Sequence, residues 1–170
     1  KMLNELGVYA EVVSQGEDEG GGRCGYTPEK IVCNGPIKSR AFVADLMEQH
    51  VMLNIDSHIE LTHAIAHAES NPQSRYGVGL RVNVDIEKYF PSESKAGDQG
   101  SRFGFCMEND ELSEAISLLH SCENIYINGL HLHVSTSTRK VEIYEWLSGL
   151  FADIVKRYDL NEIEYFDIGG

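Results

Sequence analysis

The chain has 170 residues, 42% hydrophobic and 24% charged, the size and make-up of one globular domain rather than a disordered tail. With 27 acidic against 14 basic side chains its formal charge is -13, which sets aside a nucleic-acid backbone or an anionic membrane as main partner, because either would repel it. Cys24, Cys33, Cys106 and Cys122 are scattered without a C-x-x-C pair, which sets aside a zinc ribbon or a disulfide framework and fits reduced thiols in the cytoplasm.

The segment Lys1-Met2-Leu3-Asn4-Glu5-Leu6 has the pattern of a helix end running into Gly7, so the natural protein is expected to begin earlier. Apolar, β-branched segments follow near residues 8–14, 30–34, 51–55, 77–84, 125–133 and 163–168, most of them ahead of a helical pattern. Lys38 and Ser39 are expected to start a helix. Ser57 with Glu60 makes a capping box before Leu61, Ala64, Ile65 and Ala68, whose spacing marks one buried helix face. The stretch from Asp85 to Gly104 reads as a single mobile loop. Leu112, Ala115, Ile116 and Leu119 mark another helix, and Ile143, Leu147, Leu150, Phe151, Ile154 and Tyr158 mark the longest. No apolar run reaches the roughly 20 residues that span a bilayer, and no basic-then-apolar signal opens the chain. Repeated β-α-β units imply a parallel sheet.

In the strand Gly129-Leu130-His131-Leu132-His133-Val134, alternation puts both imidazoles on one face and Leu130, Leu132 and Val134 on the other. Ser135, Thr136, Ser137 and Thr138 follow, short donors suited to an anion or to a helix N-cap before Lys140. Polar residues close nearly every strand: Ser14, Asn34, Asp56, Asn83 with Asp85, His133 and Asp167. An open sheet gathers ligand contacts at a switch point, whereas a barrel gathers the carboxyl ends of all its strands around one mouth, so a barrel is favoured. Arg81 shares a face with Asn83 and Asp85; inside a barrel it needs a carboxylate partner, with Glu11 or Asp85 as candidates. Six strands do not close eight, so the expected fold class is α/β, a partial (β/α)8 TIM barrel with about six strands present.

Six segments together resemble successive motifs of the diaminopimelate and ornithine decarboxylases, in order and spacing. They are Ala10-Glu11-Val12-Val13-Ser14, Asn34-Gly35-Pro36-Ile37-Lys38-Ser39, Leu80-Arg81-Val82-Asn83, Ser101-Arg102-Phe103-Gly104, Gly129-Leu130-His131-Leu132-His133-Val134 and Phe166-Asp167-Ile168-Gly169-Gly170. The resemblance implies the alanine-racemase-like barrel that binds pyridoxal 5'-phosphate, with residues 1–170 as its central part and the first strand, last strand and carboxy-terminal β-domain absent. It implies that His133 stacks on the cofactor ring, that Thr136 lies near the phosphate, that Gly169 and Gly170 begin the phosphate-binding turn, and that Arg81 lies beneath the cofactor. Glu11 stands where the family often carries aspartate, near the histidine or cofactor. Asp167 orients the glycine turn or caps it.

By the same resemblance the lysine that attaches the cofactor is absent, so this piece alone is expected to be inactive. The expected activity of the parent is decarboxylation of a basic or diamino acid, diaminopimelate first and hence lysine biosynthesis, by a cytoplasmic homodimer. A racemase or pyridoxal phosphate carrier of the same fold is the alternative. Glu17-Asp18-Glu19-Gly20-Gly21-Gly22 falls where the family has an apolar helix; three glycines cost roughly 1 kcal/mol each against alanine, so a frayed or altered helix is expected. Ser135-Thr136-Ser137 departs from the family's usual Gly-Ser-Gln. Two metal readings compete less strongly. His63 and His67 share a helix face with His58 nearby, but Ala64 stands where a zinc-protease motif needs glutamate; His131, His133 and Asp167 could ligate a metal as in barrel hydrolases. The interior reading of His131, a hydrogen-bonded core histidine, stands beside these.

Overall fold

The computed structural model describes residues 2–93, 102–134 and 140–169. A one-turn helix α1 (Met2–Glu5) leads into β1 (Ala10–Val12), α2 (Gln15–Arg23), β2 (Ile31–Cys33), α3 (Arg40–Glu48), β3 (Met52–Ile55), α4 (His58–Ser70) and β4 (Tyr76–Asn83). Then come α5 (Ile86–Tyr89), β5 (Phe105–Cys106), α6 (Glu111–His120), β6 (Ile125–His131), α7 (Val141–Arg157) and β7 (Tyr165–Asp167). Every pairing is parallel, in the order β1-β2-β3-β4-β6-β7.

The sheet is curled. In that order β2 and β7 stand four places apart, about 19 Å in a flat sheet, yet the Asn34 amide just past β2 donates to the Asp167 carboxylate on β7 at 2.8 Å. Such curvature is that of a partial barrel, with its helices outside. Along β4, Val78, Leu80 and Val82 are buried, and the periodic faces of α4, α6 and α7 belong to the same core. Leu61, Ala64 and Ala68, then Leu112, Ala115, Ile116 and Leu119, then Ile143, Leu147, Phe151 and Ile154 are all buried.

A bulge in β6 shapes the interior. Val78 pairs with Ile127 and Gly79 with Gly129, so Asn128 is the extra residue. Tyr126 and Asn128 line the interior below it, and beyond it His131 lies beside Arg81 of β4 and Asp167 of β7. One inserted residue thus lets even-numbered and odd-numbered side chains of one strand face the same side.

Five expectations change. A seventh strand is present: β5 runs beside β4 beyond the end of β3, where the Gly104 N–H donates to the Asp56 carbonyl at 3.1 Å. The stretch read as one loop begins with α5, while residues 94–101 lie outside the described residues. The helix over Gly20-Gly21-Gly22 forms: the Glu17 carboxylate reaches back to the Val13 N–H at 2.8 Å, and Cys24 N–H closes on the Gly20 and Gly21 carbonyls. Finally, Ser39 caps α3 by accepting the Phe42 N–H at 3.2 Å, but Lys38 is a buried side chain paired with Glu60. Ser57 does accept the Glu60 N–H at 3.4 Å, while the Glu60 carboxylate serves the Asp56 and Lys38 N–H groups instead of closing the capping box on Ser57.

Candidate active site

The carboxyl ends of the strands converge on one mouth. His131 is 2% exposed, and its Nδ1 has no hydrogen-bond partner among the described residues. Burial pushes its imidazole down to about 4, with Arg81 adding to the effect and Asp167 opposing it, so the ring is neutral at pH 7. It is an interior histidine, as one reading held, with no hydrogen bond at Nδ1 among the described residues.

Arg81 meets Asp56 at 2.5 Å (Nη1 to Oδ2), and its guanidinium lies 4.9 Å from the centre of the Phe103 ring. Neither Glu11 nor Asp85 is this partner. Asp56 follows β3, the strand paired with β4, whereas β1 lies three strands away. Asp85 instead offers its N–H to Glu108. The other Asp56 oxygen accepts the Gly104 N–H at 3.0 Å.

On the opposite side, Asn34 shares its amide between two carboxylates, Glu11 at 3.0 Å and Asp167 at 2.8 Å. Its oxygen accepts from Asn54 at 2.7 Å, and the Asn54 oxygen accepts the Tyr165 hydroxyl at 2.9 Å. Desolvation pushes the Tyr165 phenol up, so it stays a donor. Its ring needs room that glycine provides: a Cβ on Gly129 would lie 2.1 Å from the ring, and one on Gly79 2.4 Å from the hydroxyl. Below the mouth, a cavity of about 750 Å³ opens between β1 and β7, lined by Glu11, Asn128, Tyr165 and Asp167 among others.

Gly169 has φ +70°, and a Cβ there would lie 2.6 Å from His133 Nδ1, so the turn packs its bare backbone against the imidazole. Its N–H donates to Asp167 Oδ1 at 2.9 Å, the turn-orienting arrangement read for that aspartate. His133, Gly169, Arg81 and Glu11 are therefore gathered around the mouth. Thr136 and Gly170, with Ser135 and Ser137, lie outside the described residues. Asn54, Tyr165, Lys38 and Glu60 were missed; glycines inside β4 and β6 were the available sign of the tyrosine. His67 pairs with Glu48 at 2.8 Å and His58 packs edge-on against Phe105. Among the described residues no group of three or more His, Cys, Asp or Glu could hold a metal.

The family model described as "Pyridoxal-dependent decarboxylase, pyridoxal binding domain" matches residues 1–170. The chain belongs to this family. A probable chloroplastic diaminopimelate decarboxylase of Oryza sativa subsp. japonica is 30% identical over 173 residues, covering 100% of this chain and 35% of the relative. The diaminopimelate decarboxylase of Aquifex aeolicus is 28% identical, covering 100% of this chain and 40% of its own. The crystal structure of diaminopimelate decarboxylase from M. jannaschii superposes with a TM-score of 0.83 at 26% identity, over 99% of this chain and 39% of that one. The chain thus spans well under half the length of these relatives. The superposition identifies the curled sheet as part of the decarboxylase barrel. The cofactor of this domain is pyridoxal 5'-phosphate, and the residues present fit it on two observations. The positive-φ Gly169 turn packs its bare backbone against His133, and His131 Nδ1 is a buried polar atom without a partner among the described residues.

Proposed function

We propose that the parent protein decarboxylates a diamino acid, diaminopimelate first, with pyridoxal 5'-phosphate held at this mouth. The observation that carries the reading is the packing of the positive-φ Gly169 turn against His133, with Asp167 holding the turn. Bound there, the cofactor supplies an electron sink for the electron pair left by departing carbon dioxide. His133 offers a flat imidazole face to its ring. Gly169, its N–H held by Asp167 Oδ1, shapes the turn, and Gly170 would offer a backbone N–H and Thr136 a hydroxyl to its phosphate. Arg81, paired with Asp56, would lie beneath the ring, and Glu11, bonded to the Asn34 amide, would face the site. His131 stays uncharged and adds no positive charge beside Arg81.

Residues 1–170 are the central part of the barrel in this reading. The attaching lysine, the remaining strands and a β-domain belong to other parts of the parent, which acts as a homodimer in the cytoplasm. The free thiols of Cys24, Cys33, Cys106 and Cys122 suit a reducing compartment, and no helix among the described residues is long and apolar enough to cross a membrane.

The test is the visible spectrum of the full-length protein, followed by carbon dioxide release from diaminopimelate, ornithine, arginine and lysine. A cofactor absorbance abolished by borohydride, with release from diaminopimelate, is expected. Stoichiometric zinc without that absorbance would overturn the reading.

A further inference from the structure

Lys38 and Glu60 form an ion pair inside the protein, Nζ to Oε2 at 2.9 Å, with side chains 0% and 2% exposed. The Glu60 carboxylate also accepts the Lys38 N–H at 2.8 Å and the Asp56 N–H at 2.9 Å, while Lys38 Nζ donates to the Gly35 carbonyl. A buried pair is seldom a net source of stability, because both ions lose their water. Its better-founded use is to select one arrangement of the backbone. Here the arrangement selected is that of three segments: the loop after β2, the first turn of α4 and the end of β3.

The last of these reaches the mouth. Asp56, whose backbone Glu60 holds, grips Arg81 through Oδ2 and Gly104 through Oδ1. Contacts run from Lys38 to the Glu60 carboxylate, from there to the Asp56 N–H, and from the Asp56 carboxylate to Arg81, which stands in register with His131. Apolar residues would fill the same space without fixing Asp56 in this way.

We infer that Lys38 and Glu60 are positioning residues: through Asp56 they set the Arg81 guanidinium for the cofactor, which neither touches. This rests on the proposed function. The test uses the full-length protein and the dissociation constant of pyridoxal 5'-phosphate, followed by fluorescence quenching. Lys38→Met/Glu60→Gln removes both charges and keeps a side-chain acceptor at position 60, and circular dichroism checks its fold. Binding is expected to weaken on the order of tenfold, the scale on which loss of an outer supporting contact acts. In an Arg81→Gln background, where an amide can still donate to Asp56, the same double substitution is expected to add less than about twofold, because coupled sites are not additive.

Equal weakening in both backgrounds, or none in the parent, would overturn the inference while leaving the cofactor reading intact. A correctly folded parent that binds no pyridoxal 5'-phosphate would overturn the cofactor reading and this inference with it. Should Lys38→Met/Glu60→Gln not fold, Lys38→Arg takes its place in the same cycle. It keeps the charge but puts a planar fork where the pocket holds a single ammonium, and the same outcomes apply.

Discussion

Protonating His131 within the folded chain is expected to cost about 3 kcal/mol, from a shift of 6.5 down to about 4 at 1.36 kcal/mol per unit. The folded value lies below the unfolded one, so the penalty is absent above pH 6.5. It grows as the pH falls from 6.5 toward 4 and is constant below that. At pH 5 it amounts to about 2 kcal/mol, roughly 1 M in a urea midpoint. Glu48, held low by Tyr76 and His67, and Glu162, held low by Arg75, give up their contributions only below their ordinary 4.5, so the window above pH 5 belongs chiefly to histidine. Urea unfolding at pH 7 and pH 5 should therefore show a loss that His131→Gln largely abolishes, and the imidazole resonance of His131 should titrate near pH 4. Equal pH dependence in protein and variant, or a midpoint near 6.5, would refute the argument that burial keeps this ring neutral.

Three other substitutions probe the mouth. Gly169→Ala should cost about 1–2 kcal/mol from its left-handed backbone and push on His133; titration of the full-length variant should show weaker binding of pyridoxal 5'-phosphate. Gly129→Ala should destabilise by about 1–3 kcal/mol through collision with Tyr165, and Tyr165→Leu in the same chain should recover part of that in urea unfolding. Arg81→Met strands the Asp56 carboxylate, 4% exposed, and should cost about 3–5 kcal/mol. Adding Asp56→Asn should return most of the lost midpoint.

The helices and parallel strands were legible because their apolar residues recur at three and four or cluster in β-branched runs. Two residues of strand, Phe105–Cys106, carry no such periodicity. The site was legible where one segment carries it: His131 stands beside Arg81 and Asp167, and His133, two residues on, packs against Gly169. It was illegible where it depends on neighbours. The partner of Arg81 follows from strand order, which sequence spacing does not give, and local spacing made Glu60 look like half of a capping box when a residue 22 positions away claims its carboxylate. The helix over three glycines shows that an intrinsic penalty of about 1 kcal/mol per residue can be outweighed by the contacts at its ends.

The extra residue at Asn128 means that the floor and the mouth of this barrel are read from β6 in different frames. A substitution scan along the strand should show its tolerance to polar and bulky side chains switching parity at that point. Transplanting the two-histidine segment into another barrel would then require copying the residue count upstream of it, since an otherwise identical strand one residue shorter would deliver Leu130 and Leu132 to the cofactor side and bury both imidazoles among the helices.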